Sequence, residues 1–175
     1  GLCVTTLDLS SGDIEVVEKN KLIRQSVAEK IEIIEHENGI DFWLMVMRCD
    51  GALNAFLVDE EGIADMPIES DGGFDFVSEF NSIGQMKSNI IGNVFAASIN
   101  ALDRVMVYNF DKSDGRATIR NELIARDFRN AYGLEFSPNG RYLYIGTTLN
   151  EEFDIPSSLF QLDLNYETDR EIIDN

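Results

Sequence analysis

The feature that most constrains this chain is a threefold repetition. Segments 30–46, 85–98 and 132–147 each read as an apolar strand, a turn containing glycine, and a second apolar strand. The turn glycines Gly39, Gly92 and Gly140 lie 53 and 48 residues apart. After each pair comes a loop and a third strand, at 52–58, 104–110 and 157–164. A more polar fourth strand is expected at 64–70, 117–124 and 169–173. Four antiparallel strands recurring about every 50 residues make a β-propeller blade. A β-sandwich would not require the same strand–turn–strand order three times.

The strands are legible from alternation at period two. Many are apolar on both faces: Leu44 and Val46 oppose Trp43, Met45 and Met47, and Val105 and Val107 oppose Met106 and Tyr108. A strand clad on both sides belongs between two neighbouring sheets. The turns agree. Ser10-Ser11-Gly12-Asp13, Glu37-Asn38-Gly39, Lys112-Ser113-Asp114-Gly115 and Ser137-Pro138-Asn139-Gly140 put glycine where a positive φ is cheap, and Pro138 presets the first turn dihedral. In the middle unit Ser88-Asn89-Ile90-Ile91-Gly92 departs from this chemistry, and an irregular turn is expected there.

Segments 2–9 and 14–18 match the third and fourth strands of a unit whose first two are absent. Thr6-Leu7-Asp8-Leu9 resembles Phe160-Gln161-Leu162-Asp163-Leu164. The expected fold class is all-β: a β-propeller segment of antiparallel four-stranded blades, about three and a half in number, in one partial domain. It divides into a half-blade at 1–18 and blades at 28–70, 83–124 and 131–174. Because residues 2–9 read as a strand, no signal peptide is expected. An incomplete ring leaves strand edges bare, and bare edges invite pairing. Self-association through open blade edges, or missing upstream blades in a longer chain, is expected to cover them.

Composition serves to exclude. The 175 residues, 44% apolar, suffice for a domain that buries roughly 70% of its unfolded surface. No apolar run approaches the ~20 residues that span a bilayer, so no membrane insertion is expected. Fourteen basic against 32 acidic residues give a net charge of −18. Nucleic acid is therefore not expected as a partner, since phosphate binding needs a basic patch. Cys3 and Cys49 lack metal-ligand spacing and form no C-x-x-C pair, so buried free thiols are expected.

Two runs carry a family resemblance. Glu29-Lys30-Ile31 through His36-Glu37-Asn38-Gly39-Ile40-Asp41-Phe42-Trp43 resembles a recurrent blade in propeller regions of large Bacteroidetes surface proteins, often associated with gliding motility or type IX secretion. Tyr132-Gly133-Leu134-Glu135-Phe136-Ser137-Pro138-Asn139-Gly140-Arg141-Tyr142-Leu143-Tyr144 resembles the FSPDG-x-x-LY signature shared by tryptophan-aspartate-repeat and YVTN-type propellers. The resemblance covers essentially the whole chain. It implies an extracellular, cell-surface or periplasmic binding module with a protein or glycan ligand. It supplies no catalytic residues.

Catalytic constellations are scarce. The only histidine, His36, and Cys49 fall at opposite ends of an antiparallel pair. At ~3.3 Å per residue they are on the order of 25–30 Å apart, which rules out a Cys–His dyad. Glu60-Glu61 and Glu151-Glu152 sit in polar loops facing water. No cofactor is expected; calcium is the most credible metal, because hard oxygen ligands are what the chain offers. Glu69, Asp71 and Asp75, interleaved with Gly72-Gly73, are the candidate ligands; Asp111 and Asp114 form a second acidic turn. The aromatic set Phe42, Trp43, Phe56, Phe95, Phe136, Tyr142 and Tyr144 reads as inter-blade packing.

Propellers bind at one end of the central channel, where loops 48–51, 100–104 and 149–154 would converge. Arg48, Asp50, Asp103, Arg104, Asn150 and Glu151 are the polar candidates, by fold-level analogy. The main functional reading is a non-enzymatic binding and interaction module of a secreted or cell-surface bacterial protein. The alternative is a metal-dependent hydrolase or lactonase of YVTN-propeller type. That chemistry needs carboxylates meeting at the axis, where the innermost strands offer Glu35, Lys87 and Glu135.

Overall fold

The computed structural model describes residues 1–74, 82–148 and 156–174. A hairpin opens the chain, β1 (Leu2–Asp8) paired with β2 (Glu15–Arg24). A first blade follows: β3 (Val27–Glu35), β4 (Phe42–Arg48) and β5 (Leu53–Asp59), with β6 (Gly62–Ile63) and β7 (Ile68–Ser70) sharing the outer edge of β5. The second blade is β8 (Met86–Ser88), β9 (Val94–Ile99), β10 (Arg104–Phe110) and β11 (Ala117–Ile124). The third is β12 (Ala131–Phe136), β13 (Tyr142–Thr147) and β14 (Leu159–Asp163), followed by a short helix, α1 (Asp169–Asp174). Within each sheet the strands pair antiparallel, in chain order from inside to outside. This is the meander of propeller blades.

Two fourth strands differ from expectation. In the first blade the segment 64–70 does not form one strand; pairing with β5 breaks between Ile63 and Ile68. Pro67, within that gap, has no N–H to give to a ladder. In the third blade the segment 169–173 is helical. The cause is a capping box: Glu171 N–H donates to Thr168 Oγ1 (3.2 Å), while Thr168 N–H donates to Glu171 Oε2 (3.1 Å). The helix buries Ile172 and lies against β11. Asp169 there accepts from Asn121 Nδ2 (2.7 Å) and the Glu122 N–H (3.3 Å), so the helix start helps to cover an outer strand.

The middle turn is regular after all. Gly39, Gly92 and Gly140 have φ of 69°, 78° and 70°. Each donates its N–H three residues back, to His36, Asn89 and Ser137, at 3.0, 2.9 and 2.8 Å. In the middle turn the Asn89 Oδ1 also accepts from the N–H groups of Gly92 and Val94. This side chain supplies the turn chemistry that the Pro138-Asn139 pair supplies elsewhere.

The core lies between blades. Trp43, Met45 and Met47 of the first blade pack against Phe95, Ala97, Met106 and Tyr108 of the second. The other face of the second blade, Val94, Ala96, Val105 and Val107, packs against Leu134, Phe136, Leu143 and Ile145 of the third. A smaller cluster of Leu44, Val46 and Phe56 receives Leu2 and Ile23 from the leading hairpin. Phe95 is fully buried, stacks on Tyr108 at 4.8 Å and meets Phe110 edge-on at 6.0 Å. The Trp43 indole N–H donates to the Lys112 carbonyl (2.8 Å), and a Cβ at Gly115 would sit 2.8 Å from its ring. Of the expected packing aromatics, Phe42 is 44% exposed, and Tyr142 and Tyr144 are half-buried and lie outside the inter-blade clusters.

Two stability predictions follow from this core. Phe95→Ala is expected to cost about 3–5 kcal/mol in urea unfolding, because the cavity sits between two rigid sheets. A loss below about 1 kcal/mol would show that the interface collapses to fill it. Lys30, on β3, is fully buried, and its Nζ donates to the Ile83 carbonyl at 2.8 Å. Burial lowers its pKa from the ordinary 10.5 to about 8. The unfolded chain thus binds this proton more tightly, so stability rises with pH between those values. Relative to Lys30→Met, wild-type stability is expected to be flat below about pH 8, to climb toward pH 10.5, and to level beyond it. A wild-type-minus-variant gap that stays constant across that window would contradict this.

Candidate functional site

The innermost strands β3, β8 and β12 form the wall that faces the propeller axis. Two cavities open along it. At the end carrying the glycine turns, Glu35, Lys87 and Glu135 meet around Ile33, Ile91 and Pro138, in a space of about 410 Å³. Toward the other end, Glu29, Ile31, Gln85, Tyr132 and Gly133 border one of about 400 Å³. The structure therefore brings the three channel residues read from the sequence into one place. Lys112 Nζ lies 3.7 Å from Glu35 and donates to the Ile91 carbonyl (3.2 Å). Lys87 Nζ lies 4.0 Å from Glu32. Glu135 Oε1 accepts the Phe136 N–H (3.0 Å) and makes no ion pair among the described residues.

Several acidic and amide side chains of this wall act as acceptors for the next blade. Glu29 Oε1 takes the Gly84 N–H (2.9 Å), and Glu32 Oε1 takes the N–H and hydroxyl of Ser88 (3.0 and 2.7 Å). Gln85 Oε1 takes the Leu134 N–H (2.7 Å). An innermost strand has no sheet neighbour on its axial side, and its N–H groups must find acceptors elsewhere. Sequence reasoning missed these clasps, although a signal was present. Glu32 and Gln85 each stand seven residues before their turn glycine, Gly39 and Gly92. In the third unit that position is Gly133, which has no side chain to reach forward.

The loop residues expected to bind behave differently. Arg48 pairs with Asp50 and approaches Glu69 (3.7 Å), which also receives Arg24 (2.9 Å). This cluster seals the seam between the leading hairpin and the first blade. Arg104 pairs with Glu122, and Asp103 with Arg129 (3.5 Å), within and behind the second blade. The Arg48–Asp50 loop thus serves the first blade and the Asp103–Arg104 loop the second. Asn150 and Glu151 lie outside the described residues.

Of the expected calcium ligands, Glu69 is engaged by the two guanidinium groups, and Asp71 Oδ1 accepts the Gly73 N–H (2.9 Å). Asp75 lies outside the described residues. In the second acidic turn the Ser113 hydroxyl and N–H hold the Asp111 carboxyl below the usual carboxylate range. Among the described residues no group of three or more His, Cys, Asp or Glu side chains converges. The His36 ring packs on Trp43, with centroids 5.4 Å apart, and its Nδ1 accepts the Asn38 N–H (3.0 Å). The thiols depart from expectation: Cys3 is exposed, because its hairpin is covered on one side only, and Cys49 is half-buried in a loop.

No family model matches the chain, and no curated protein does. Solved structures match throughout. The β-propeller domain of Cps50 (Swd1) from Myceliophteria thermophila aligns with a TM-score of 0.59 at 11% identity, over 95% of this chain and 51% of that one. A candidate 6-phosphogluconolactonase from Bacteroides uniformis aligns with a TM-score of 0.58 at 13% identity, over 94% and 48%. Another from Bacteroides fragilis gives 0.52 at 16% identity, over 78% and 35%. The chain thus spans between 35% and 51% of the length of these structures, and it has the fold of a β-propeller segment.

Proposed function

We propose that this segment is a non-enzymatic, protein-binding module, and that its inner wall takes a basic, amphipathic side chain of the ligand. The observation that carries this reading is the lining of the cavity at the turn end. Ile33, Ile91 and Pro138 offer an apolar floor to an alkyl stem, while Glu35 and Glu135 stand beside it. Glu135, without an ion pair among the described residues, is the carboxylate with capacity to spare. The net charge of −18 draws basic partners from a distance. The other acceptors of the wall, Glu29, Glu32 and Gln85, are occupied by backbone N–H groups and serve the fold. A secreted, cell-surface or periplasmic setting is part of the same reading and rests on the resemblance to Bacteroidetes surface propellers.

A metal-dependent lactonase is the second reading, favoured by the likeness to two candidate 6-phosphogluconolactonases. One set of measurements separates the two. The protein is assayed for hydrolysis of 6-phosphogluconolactone with and without added calcium, and its metal content is determined. It is then titrated with lysine- and arginine-containing peptides and with neutral glycans. The expected result is no turnover above the spontaneous rate, and peptide binding that Glu135→Lys weakens by about tenfold or more. Glu60→Lys, the same charge change on the exposed β5–β6 turn, should leave binding nearly unchanged. Turnover abolished by Glu135→Gln would overturn the proposal. So would binding confined to glycans.

A further inference from the structure

The middle turn holds two residues that the fold does not explain. Asn89-Ile90-Ile91-Gly92 takes the place of His36-Glu37-Asn38-Gly39 and Ser137-Pro138-Asn139-Gly140 in the neighbouring units. The two central positions are Glu37 and Asn38 in the first turn, Pro138 and Asn139 in the third, and isoleucine twice in the second. Proline and asparagine are what such positions favour. The turn has no need of the isoleucine side chains. Asn89 Oδ1 takes the Gly92 and Val94 N–H groups, and Lys112 Nζ bonds the main-chain carbonyl of Ile91, which any residue would offer. Nor does the core need them: Ile90 is 79% exposed and Ile91 61%. Both residues line the turn-end cavity, where Ile33 and Pro138 complete its apolar border. The carboxylates Glu35 and Glu135 border the same space. An exposed isoleucine standing alone is ordinary, but an apolar patch continuous with a pocket marks a binding surface.

We propose that Ile90 and Ile91 receive a bulky apolar side chain of the ligand, so that the inner wall selects peptides in which a leucine-like residue stands within two positions of a basic one. The occupant so named deepens, and rests on, the reading of Glu135 as the anchor for a basic side chain. Two observations select it. The isoleucines are continuous with the carboxylate cavity, so one short segment reaches both. An extended peptide advances ~3.3 Å per residue, and side chains one or two positions apart fit the scale of a cavity of about 410 Å³. The second observation is charge. Glu35, Glu135 and a net charge of −18 repel anionic lipid headgroups and attract a cationic peptide, so bare isoleucines at this place suit a peptide better than a bilayer. An apolar side chain laid over Ile90 and Ile91 also excludes water from the neighbouring ion pair, which strengthens it.

The test titrates the full chain into labelled peptides, followed by fluorescence anisotropy. The parent peptide carries one lysine among alanines and serines. In its relatives a leucine replaces the residue one or two positions before or after the lysine. At least one leucine peptide is expected to bind about tenfold more tightly than the parent. Ile90→Ser should cut that gain to about twofold or less, with an unchanged circular dichroism spectrum because the side chain is exposed. Ile40→Ser is the control: Ile40 follows the first turn, is 78% exposed and is not among the residues bordering the cavity. It should keep the full gain. Glu135→Lys should weaken parent and leucine peptides together. Absence of a leucine gain, or a gain that Ile90→Ser leaves whole, would overturn this proposal while Glu135-dependent binding left the basic anchor standing. Binding that ignores Glu135→Lys would overturn both. Uptake onto phosphatidylcholine vesicles that Ile90→Ser abolishes would assign the isoleucines to a membrane and overturn the proposal as well.

Discussion

The structure depends on one constraint: a middle blade has water on neither face. The second blade lies between two others, and both sides of its strands are apolar and buried. That is why β9 reads Val-Phe-Ala-Ala-Ser-Ile with no polar face. Small and large residues divide the task. Ala96 and Ala97 let the neighbouring sheets come close, and Phe95 and Tyr108 fill the space beside them. The burial of Tyr108 pushes its phenol pKa up, and its hydroxyl is satisfied by the Gly72 carbonyl at 2.9 Å. Each interface thus fixes the tilt of the next blade, and the stack positions the inner wall.

Face packing alone would leave the innermost strands with unsatisfied N–H groups. The clasps from Glu29, Glu32 and Gln85 meet that need, and they tie each blade to its successor by directional bonds as well as by area. They also restrict the chemistry of the wall. A carboxylate oxygen already occupied by a backbone N–H has less capacity left for a ligand. The repeat position that clasps in the first two units is Gly133 in the third. The wall is therefore more open beside Gly133, and further along β12, in the cavity at the turn end, Glu135 has no ionic partner among the described residues.

The sequence exposed most of this because the fold is a repeat. Alternation and turn glycines located strands such as 104–110 and 117–124 with their observed limits. It failed where local chemistry competes with pattern. Five residues, 169–173, cannot distinguish alternation from a helical turn; the pair Thr168 and Glu171 could, through the capping box. The turn at 88–92 looked irregular because the role of Asn89 depends on a side-chain geometry that composition does not display. At the wall, listing the innermost strands was enough to find Glu35, Lys87 and Glu135 together. The loop analogy named Arg48, Asp50, Asp103 and Arg104, but not their partners, because ion pairs with Glu69, Glu122 and Arg129 join positions distant in sequence.

The leading hairpin shows how these constraints interact. Two strands alone are marginal in water. Here β1 and β2 gain support on one side only, from Leu44, Val46 and Phe56, and at the seam from Arg24 through Glu69. Register shifts interrupt their pairing at three places. A ladder so irregular, with apolar side chains on its open face, has less to hold it than any other sheet in the chain. Hydrogen exchange should be fastest in this hairpin for the same reason, since its opening breaks the fewest buried contacts. Whatever covers its outer face stabilises the element most in need of it, and coverage there would reach the first blade directly through Leu2 and Ile23.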